Sequence, residues 1–329
     1  MTDASHEIVS EAEVAVQRLD TVRTEIGKAV FGQDNVVELA LCAVLAGGHA
    51  LLIGAPGLAK TRLVEAMSTA LGLGGARIQF TPDLMPSDIL GSEVLDEGAD
   101  GVRSFRFLKG PIFTQLLMAD EINRASPRTQ SALLQAMQEK HVTVAGVRHD
   151  LPRPFHVLAT QNPIEQEGTY PLPEAQLDRF LLKIDVQYPD LETERRILVE
   201  TTGAEGELVQ PALDAQSLVS LQALVRRMPV GEKVLETILT LVREARPEQS
   251  SDDRVRRLVN WGPSPRAGQA LMLAARSRAL LRGRLAPSIE DVEALAEPAL
   301  GHRMAMRYDP SGEAPALPAL ISDLARKAA

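Results

Sequence analysis

Eight residues, GAPGLAKT at positions 54–61, have the types and spacing of a phosphate-binding loop. The strict pattern, G-x-x-x-x-G-K-[ST], has a second glycine where this chain has Ala59. Backbone N–H groups of such a turn bind phosphate at the N-terminus of the following helix. Lys60 would contact the β- and γ-phosphates, and the Thr61 hydroxyl would reach Mg²⁺. For the loop taken alone, an ordinary strand-to-helix turn is the alternative to a nucleotide site. The predicted contacts are Gly54, Ala55, Pro56, Gly57, Leu58, Ala59, Lys60 and Thr61.

An acidic pair ends a later apolar segment, LLMADE at 116–121. A carboxylate at the carboxyl end of a neighbouring strand lies where doubly wound sheets bind ligands. Asp120 is expected in the shell of Mg²⁺, and Glu121 is expected to activate the attacking water. A solvated helix cap is the ordinary alternative. Two motifs in the right order on separate strands of one sheet nevertheless favour nucleotide hydrolysis.

Three more polar residues have a predicted role at the same site. Asn162 ends the segment ATQN and can hydrogen-bond the water or the γ-phosphate, although a turn residue before Pro163 is the simpler reading. Arg179, in LPEAQLDRF, would ordinarily form a surface salt bridge, but in a ring it could reach the γ-phosphate of the next subunit. Arg266, in GPSPRAGQ, begins a helix and could touch the phosphate of its own subunit.

The elements that must position these residues alternate along the first part of the chain. Apolar strands alternating with helices predict an α/β fold with a parallel five-stranded sheet covered on both faces. Ser126 and Pro127 suit the cap and first position of one helix. The predicted strands are 49–54, 77–80, 114–120, 155–162 and 181–186. The predicted helices are 7–28, 34–46, 60–72 and 126–140.

The last third of the chain has helical periodicity and lacks strand signals. We therefore expect a nucleotide-binding domain at 1–204 and an all-α domain at 205–329, with a hinge at GELVQPALD (206–214). An Ala- and Pro-rich tail at the end is expected to fray. The predicted helices of this part are 214–228, 232–245, 264–282 and 288–300.

Two segments interrupt the strand–helix alternation and are predicted to be hairpins. The first spans 92–107 with EGADG at its turn, and the second spans 141–151 with Ala145 and Gly146 at its turn. They are either surface ornament or functional loops on a rigid scaffold.

Composition limits the class of protein. The net charge of −9 argues against indiscriminate binding to nucleic acid, which needs a basic footprint. A single cysteine, Cys42, excludes a disulfide framework and suits a reducing compartment. The N-terminus is acidic and polar, and the most apolar run, 39–54, is too short and interrupted to span a bilayer. We expect a cytoplasmic protein with no membrane span and, lacking metal-type His or Cys spacing, no metal beyond Mg²⁺.

The order of these segments resembles that of AAA+ ATPases. The loop GAPGLAKT, the block GPIFTQLLMADEINRASPRTQSALLQAMQE, and ATQNP, LPEAQLDRF and GPSPRA are most similar to the MoxR family, over nearly the whole chain. The resemblance implies an AAA+ P-loop αβα core with a helical lid, and it makes Ala59 part of the family's version of the loop. It also implies that the hairpins face the pore of a ring. By the same resemblance, Asp120 and Glu121 would be the Walker B pair, and Asn162 would be sensor 1. Arg179 would be the arginine finger and Arg266 sensor 2. Gly32 and Gln33 would lie near the adenine.

The resemblance implies ATP and Mg²⁺ as ligands. It also implies a homo-oligomeric ring, which we expect to be a hexamer. It further implies chaperone-like remodelling or maturation of a protein client, with a partner that contains a von Willebrand factor A domain. Two alternatives remain: the motor subunit of a metal chelatase, and a nucleic-acid motor. For the latter, the first hairpin could grip a strand through Arg103, Phe105, Arg106 and Phe107.

Overall fold

A computed structural model describes residues 3–97, 103–165, 167–203, 207–308 and 315–329. None of the helices in these ranges combines the length and the hydropathy that a membrane crossing requires. The helices are α1 (Asp3–Gly27), α2 (Asp34–Leu45), α3 (Lys60–Ala70), α4 (Pro86–Leu90), α5 (Pro127–Glu139), α6 (Glu174–Leu177), α7 (Leu191–Thr202), α8 (Ala215–Arg227), α9 (Glu232–Glu244), α10 (Asp253–Leu258), α11 (Pro265–Leu281), α12 (Ile289–Leu300) and α13 (Leu317–Ala328). The strands are β1 (Ala50–Ile53), β2 (Gly75–Gln79), β3 (Gly91–Glu97), β4 (Arg103–Lys109), β5 (Leu116–Asp120), β6 (His141–Val144), β7 (Val147–Asp150), β8 (His156–Gln161), β9 (Leu182–Asp185), β10 (Val259–Trp261) and β11 (Ala305–Met306).

The core of the first part is a five-stranded sheet in the order β2-β5-β8-β1-β9, with all strands parallel. Successive residues of a strand face opposite sides, so the apolar run of β5 serves two cores. Leu116 and Met118 pack into one buried cluster, and Leu117 and Ala119 pack into the other. The predicted parallel sheet covered on both faces is confirmed.

The helical part packs against one face of the sheet. A single buried cluster includes residues of the sheet, such as Leu52 and Leu158, and residues of the lid helices, such as Leu271 and Leu295. The helical lid that the sequence predicts is therefore confirmed, with one addition: β10 and β11 form a short antiparallel ribbon. The predicted domain boundary at residues 204 and 205 lies outside the described residues.

Helices α7 and α13 are the longest that the sequence-based expectations did not include. Residues 191–202, for which no element was predicted, form α7, which Asp190 caps by accepting from the Thr193 N–H at 2.8 Å. The prediction of a fraying tail is wrong for 317–328, which form α13. Its apolar positions fall on one side, and Leu320 and Leu324 are buried where α13 packs on α9 and α12. Tertiary burial of this amphipathic face stabilises a helix that composition alone would not favour.

The two hairpins are present and touch each other. In the first, β3 pairs with β4 so that Leu95 lies opposite Phe105, while the tip of its turn, 98–102, lies outside the described residues. In the second, β6 pairs with β7, and Ala145 and Gly146 both have positive φ, as a tight hairpin turn requires. The Phe107 ring of the first hairpin stacks on the His149 ring of the second, with centroids 4.0 Å apart.

Two buried histidines connect the sheet to its surroundings. His49 Nδ1 accepts from the Val157 N–H at 2.9 Å. His156 Nδ1 donates to the Gly48 carbonyl at 2.8 Å, and its Nε2 accepts from Gln222 of α8 at 2.9 Å, which ties the lid to the core. Burial lowers the pKa of His49 to about 3 and that of His156 to about 4, so both rings are neutral in the folded protein at pH 7.

We predict that these histidines make stability fall as the pH is lowered. The pKa of each ring is lower in the folded state than the unfolded value near 6.5, so the unfolded chain binds more protons below that pH. The stability that the two neutral rings contribute is therefore complete above pH 6.5 and is lost as the pH falls toward their folded-state pKa values. For His156 alone, the free energy of unfolding should fall by roughly 2 kcal/mol between pH 7 and pH 5. Urea unfolding at both pH values should therefore show a smaller loss for His156→Gln than for the unchanged protein. Equal losses would contradict the assignment of a buried neutral imidazole.

Candidate active site

The phosphate loop, residues 54–61, connects the end of β1 to the start of α3. Gly57 has a φ of 83° and Ala59 a φ of 54°, so the chain turns sharply before the helix begins at Lys60. The Lys60 ammonium donates to the carbonyl oxygens of Gly54 at 2.7 Å and Ala55 at 2.6 Å. Burial lowers the pKa of Lys60, while the nearby carboxylates of the acidic pair act in the opposite direction. The loop thus places one cation and a helix N-terminus beside two carboxylates.

Ala59 occupies a left-handed conformation that an alanine adopts at a cost. For an L-residue this region costs about 1–2 kcal/mol, whereas glycine adopts it freely. Its N–H group is the same as that of a glycine, so the substitution removes no donor from the loop. Strain of this kind is typical of functional loops that surrounding contacts hold in place.

The acidic pair lies at the carboxyl end of β5 and is fixed by its neighbours. The buried Thr160 of β8 donates its hydroxyl to Asp120 Oδ1 at 2.5 Å and accepts from the Glu121 N–H at 2.8 Å. Glu121 has a φ of 54°, a second strained backbone position at this edge. Its Oε2 also accepts from Arg124 Nη1 at 3.1 Å.

The edge strand β2 holds both carboxylates from the other side. Arg77 Nη2 donates to Asp120 Oδ2 at 2.6 Å and to Gln79 Oε1 at 3.0 Å. Gln79 Nε2 in turn donates to Glu121 Oε2 at 2.8 Å. Sequence reasoning missed Arg77, Gln79 and Thr160. A signal existed for the first two, because alternate polar residues on the strand beside β5 point to the same side as its terminal carboxylate.

A cavity of about 330 Å³ opens between the phosphate loop and the acidic pair. Asn162, just after β8, is 5% exposed, and among the described residues its Nδ2 has no hydrogen-bond partner, while its Oδ1 accepts from the Ile164 N–H. A buried donor without a partner is costly, so this amide suits an oxygen of a ligand in the cavity. The cavity, called here the phosphate-loop cavity, is lined by Pro56, Gly57, Leu58, Ala59, Lys60, Thr61, Arg62, Arg77, Asp120, Glu121, Thr160 and Asn162.

Gly32 and Gln33 lie behind the same loop. The Gln33 side chain donates to the Leu58 carbonyl at 3.1 Å, and within the described part of the chain its buried Oε1 has no partner. Gly32 has a φ of 65°, and a Cβ there would lie 2.1 Å from the Thr193 side chain of α7. A side chain at this position would thus push α7 away from the loop. The unpaired Oε1 suits a donor such as an amino group of a base.

Arg179 and Arg266 lie at the other edge of the sheet. They line a second cavity, of about 220 Å³, together with Gly48 and His49, which precede β1, and Leu181, which precedes β9. Arg179 donates to the Leu134 carbonyl at 2.6 Å. Arg266 is half exposed, with its guanidinium 4.0 Å from Asp178 Oδ2. The structure therefore brings the two arginines together but does not bring Arg266 to the phosphate-loop cavity of its own chain.

A buried ion pair between lid and core sets this placement. Arg303, which is 2% exposed, donates to Asp178 Oδ1 at 2.6 Å and to the carbonyl oxygens of Phe180 and Leu181. Asp178 Oδ2 also accepts from the Ser264 hydroxyl at 3.3 Å, two residues before Arg266. A charge-assisted contact of this kind is short and directional. The lid is thereby fixed to the segment that carries Arg179.

Comparisons with known proteins agree with this architecture. A family model described as the ATPase family associated with various cellular activities (AAA) matches residues 49–182, and one described as the AAA lid domain matches 251–323. The chain is 42% identical over 295 residues to Chaperone MoxR1 of Mycobacterium tuberculosis, covering 89% of this chain and 77% of that protein. It is 34% identical to Protein MoxR of Methylorubrum extorquens, covering 85% of each. A solved structure of a proposed ATPase from Cytophaga hutchinsonii superposes with a TM-score of 0.89 at 36% identity, covering 98% of this chain and 97% of that one.

We predict that Ala59→Gly does not destabilise the protein. Relief of about 1–2 kcal/mol of left-handed strain outweighs the 0.5–1 kcal/mol that glycine costs through the unfolded chain. Urea unfolding should show a free energy of unfolding unchanged or raised by up to about 1 kcal/mol. The control is Ala55→Gly in the same loop, which lacks a positive φ and should lose stability. Equal losses in the two variants would contradict the strain argument.

Proposed function

We propose that this chain, which belongs to the MoxR family of AAA+ ATPases, binds ATP with Mg²⁺ in the phosphate-loop cavity and hydrolyses it in a homo-oligomeric ring. Turnover would drive chaperone-like remodelling or maturation of a protein client. A hexamer and a partner with a von Willebrand factor A domain stay predictions from the family resemblance. The single cysteine, Cys42, is buried and free of a disulfide, and this suits a cytoplasmic location.

The observation that carries the proposal is the convergence on one cavity of groups from three parts of the chain. Lys60 supplies a cation, Asp120 and Glu121 supply carboxylates, and Asn162 supplies a buried donor without a protein partner. A phosphate group complements the Lys60 cation and the Asn162 donor, and a hydrated divalent cation complements the two carboxylates. The residues present therefore fit a nucleoside triphosphate with its divalent metal ion.

Each residue then has a definite task. The loop N–H groups and Lys60 bind the phosphates, and Thr61 and Asp120 hold the metal, which when bound neutralises phosphate charge. Glu121 orients the attacking water and accepts its proton, held in place by hydrogen bonds from Gln79 and Arg124. Asn162 donates to the water or the γ-phosphate. Gln33 offers its unpaired oxygen toward the base.

The positions of Arg179 and Arg266 support an assembly in which both act on a neighbour. Both lie at the amino edge of the sheet, away from the phosphate loop of their own chain. This alters the expectation for Arg266, which we now assign to the adjoining subunit's nucleotide. Contact with a second copy would also cover α7, whose apolar side chains Leu191 and Leu198 are 73% and 65% exposed.

The first hairpin supports a protein client over a nucleic acid. Arg103 pairs with Glu97 and Arg106 with Asp96, so these arginines are neutralised within the hairpin. Phe107 stacks on His149, which leaves Phe105, 71% exposed, as the free aromatic of the four candidate grip residues. Leu95 lies opposite Phe105 and is 56% exposed. An apolar pair flanked by compensated charges suits an apolar protein segment better than a phosphate backbone.

We predict that Glu121→Gln binds ATP but hydrolyses it at least 100-fold more slowly, because the amide cannot accept the proton of the water. Fluorescent-nucleotide binding and phosphate release at saturating ATP with Mg²⁺ measure the two steps. The matched control is Glu65→Gln on the exposed side of α3, which should keep normal turnover. Rapid hydrolysis by Glu121→Gln would refute its role, and failure of the unchanged protein to bind nucleotide would refute the proposed function.

We predict that Arg179→Ala retains ATP binding and loses turnover by a factor of about 10³ or more, since an arginine finger stabilises transition-state charge. Mixing Arg179→Ala with Glu121→Gln subunits should restore activity, because an intact Glu121 then meets an intact Arg179 across a mixed interface. Arg266→Ala should behave in the same way in mixtures. Normal turnover of Arg179→Ala alone, or mixtures that stay inactive although subunits exchange, would rule out action across subunits.

A further inference from the structure

Arg77 forms a contact that the proposed reaction does not explain. Its Nη2 and Nε donate to Asp120 Oδ2 at 2.6 Å and 3.2 Å, while Asp120 Oδ1 accepts from Thr160. Both oxygens of the carboxylate that is proposed to serve the metal are thus engaged by protein donors. Asp120 is 8% exposed, so it has little other access to solvent or to a cation.

The geometry opposes binding of a cation at Asp120 while Arg77 stays in place. A carboxylate oxygen has two lone-pair directions, and Arg77 approaches Oδ2 with two N–H groups. The guanidinium also carries a full positive charge at hydrogen-bond distance, which repels Mg²⁺ or a water of its shell. A metal at this position therefore needs Arg77 to move.

Arg77 has more room to move than Asp120 and Thr160, although it also donates to Gln79 Oε1 at 3.0 Å. Its side chain is 51% exposed, whereas that of Asp120 is 11% exposed and Thr160 is buried. It lines the phosphate-loop cavity itself, beside Lys60 and Arg62. A bound triphosphate would bring several negative charges into that cavity and so give the guanidinium a second anionic partner.

We propose that Arg77 is a displaceable counterion of Asp120 that makes entry of the divalent cation depend on bound triphosphate. Without nucleotide, Arg77 occupies Oδ2 and neutralises the carboxylate. With nucleotide, the phosphates draw Arg77 away, and Asp120 becomes available to the metal shell. This rests on the proposed function, because it takes Asp120 as the carboxylate that serves the metal.

The competing interpretation is a structural ion pair that joins β2 to β5. Backbone pairing already joins these strands, with Gly75–Gln79 in register with Leu116–Asp120. A half-exposed pair of this type contributes little to stability, about 0–1 kcal/mol. The two interpretations differ in one measurable property, the affinity of the nucleotide-free protein for a divalent cation.

The test is titration of the nucleotide-free protein with Mn²⁺ alone, followed by the paramagnetic resonance signal of free Mn²⁺. Arg77→Gln, which removes the charge, should bind Mn²⁺ at least tenfold more tightly than the unchanged protein. Arg77→Lys, which keeps the charge, should stay near the unchanged protein. Arg326→Gln on α13 is the matched control, because Arg326 contacts Asp323 at the same 2.6 Å distance and is also exposed.

The double variant Arg77→Gln, Asp120→Asn should lose the added Mn²⁺ affinity, because the added binding depends on the Asp120 carboxylate. As a second measurement, Mg²⁺ alone should raise the Tm of Arg77→Gln and leave that of the unchanged protein constant, because only the variant gains a ligand for its folded state. Equal Mn²⁺ affinity in Arg77→Gln and the unchanged protein, or equal gains in Arg77→Gln and Arg77→Lys, would overturn the proposal. Absence of fluorescent-nucleotide binding to the unchanged protein with Mg²⁺ would instead overturn the proposed function, while the Mn²⁺ comparison still decides the role of Arg77.

Discussion

The buried ion pair between Asp178 and Arg303 determines how the two halves of the chain relate. Arg303 comes from the lid and also donates to the Phe180 and Leu181 carbonyls, at the point where β9 begins. An unpaired buried charge is strongly unfavourable, so neither partner can leave without a replacement. The lid is therefore fixed at the amino end of β9, whereas the phosphate loop lies at the carboxyl end of its neighbour β1. Four residues of strand separate these edges by roughly 13 Å, more than one arginine side chain spans.

The active-site edge combines strained backbone with carboxylates that the chain itself satisfies. Ala59 and Glu121 both have a φ of 54°, and each costs energy that the surrounding structure must offset. The contacts of Thr160, Gln79 and Arg124 hold Glu121 in its conformation. A site arranged in this way is preorganised for chemistry. The Asn162 Nδ2 is informative because it is buried and has no hydrogen-bond partner among the described residues, whereas Lys60, Asp120 and Glu121 all have protein partners.

Local sequence features predicted most of the fold, because strands, caps and the phosphate loop depend on neighbouring residues. The five strands and the Ser126 cap follow from apolar runs and from side-chain hydrogen bonding within one turn. The position of Arg266 could not be predicted in this way, since it depends on Arg303 meeting Asp178 across 125 residues. The helix α13 was missed for the same reason, because its apolar face is stabilised only by distant helices. Arg77 and Gln79 become visible only when β2 is known to lie beside β5.

Both hairpins are inserted between elements that carry site residues. The first follows β2, with Arg77 and Gln79, through α4, and Leu84 in the connection accepts from Thr129 of α5 at 2.7 Å. The second lies between α5, which begins soon after Glu121, and β8, which ends just before Asn162. The stack of Phe107 on His149 then joins the two hairpins. The exposed Leu95 and Phe105 are therefore connected to β2 and to the segment after Glu121 by the chain itself and by one aromatic contact. Release of Arg77 from Asp120 is a change of partner at the start of that connection.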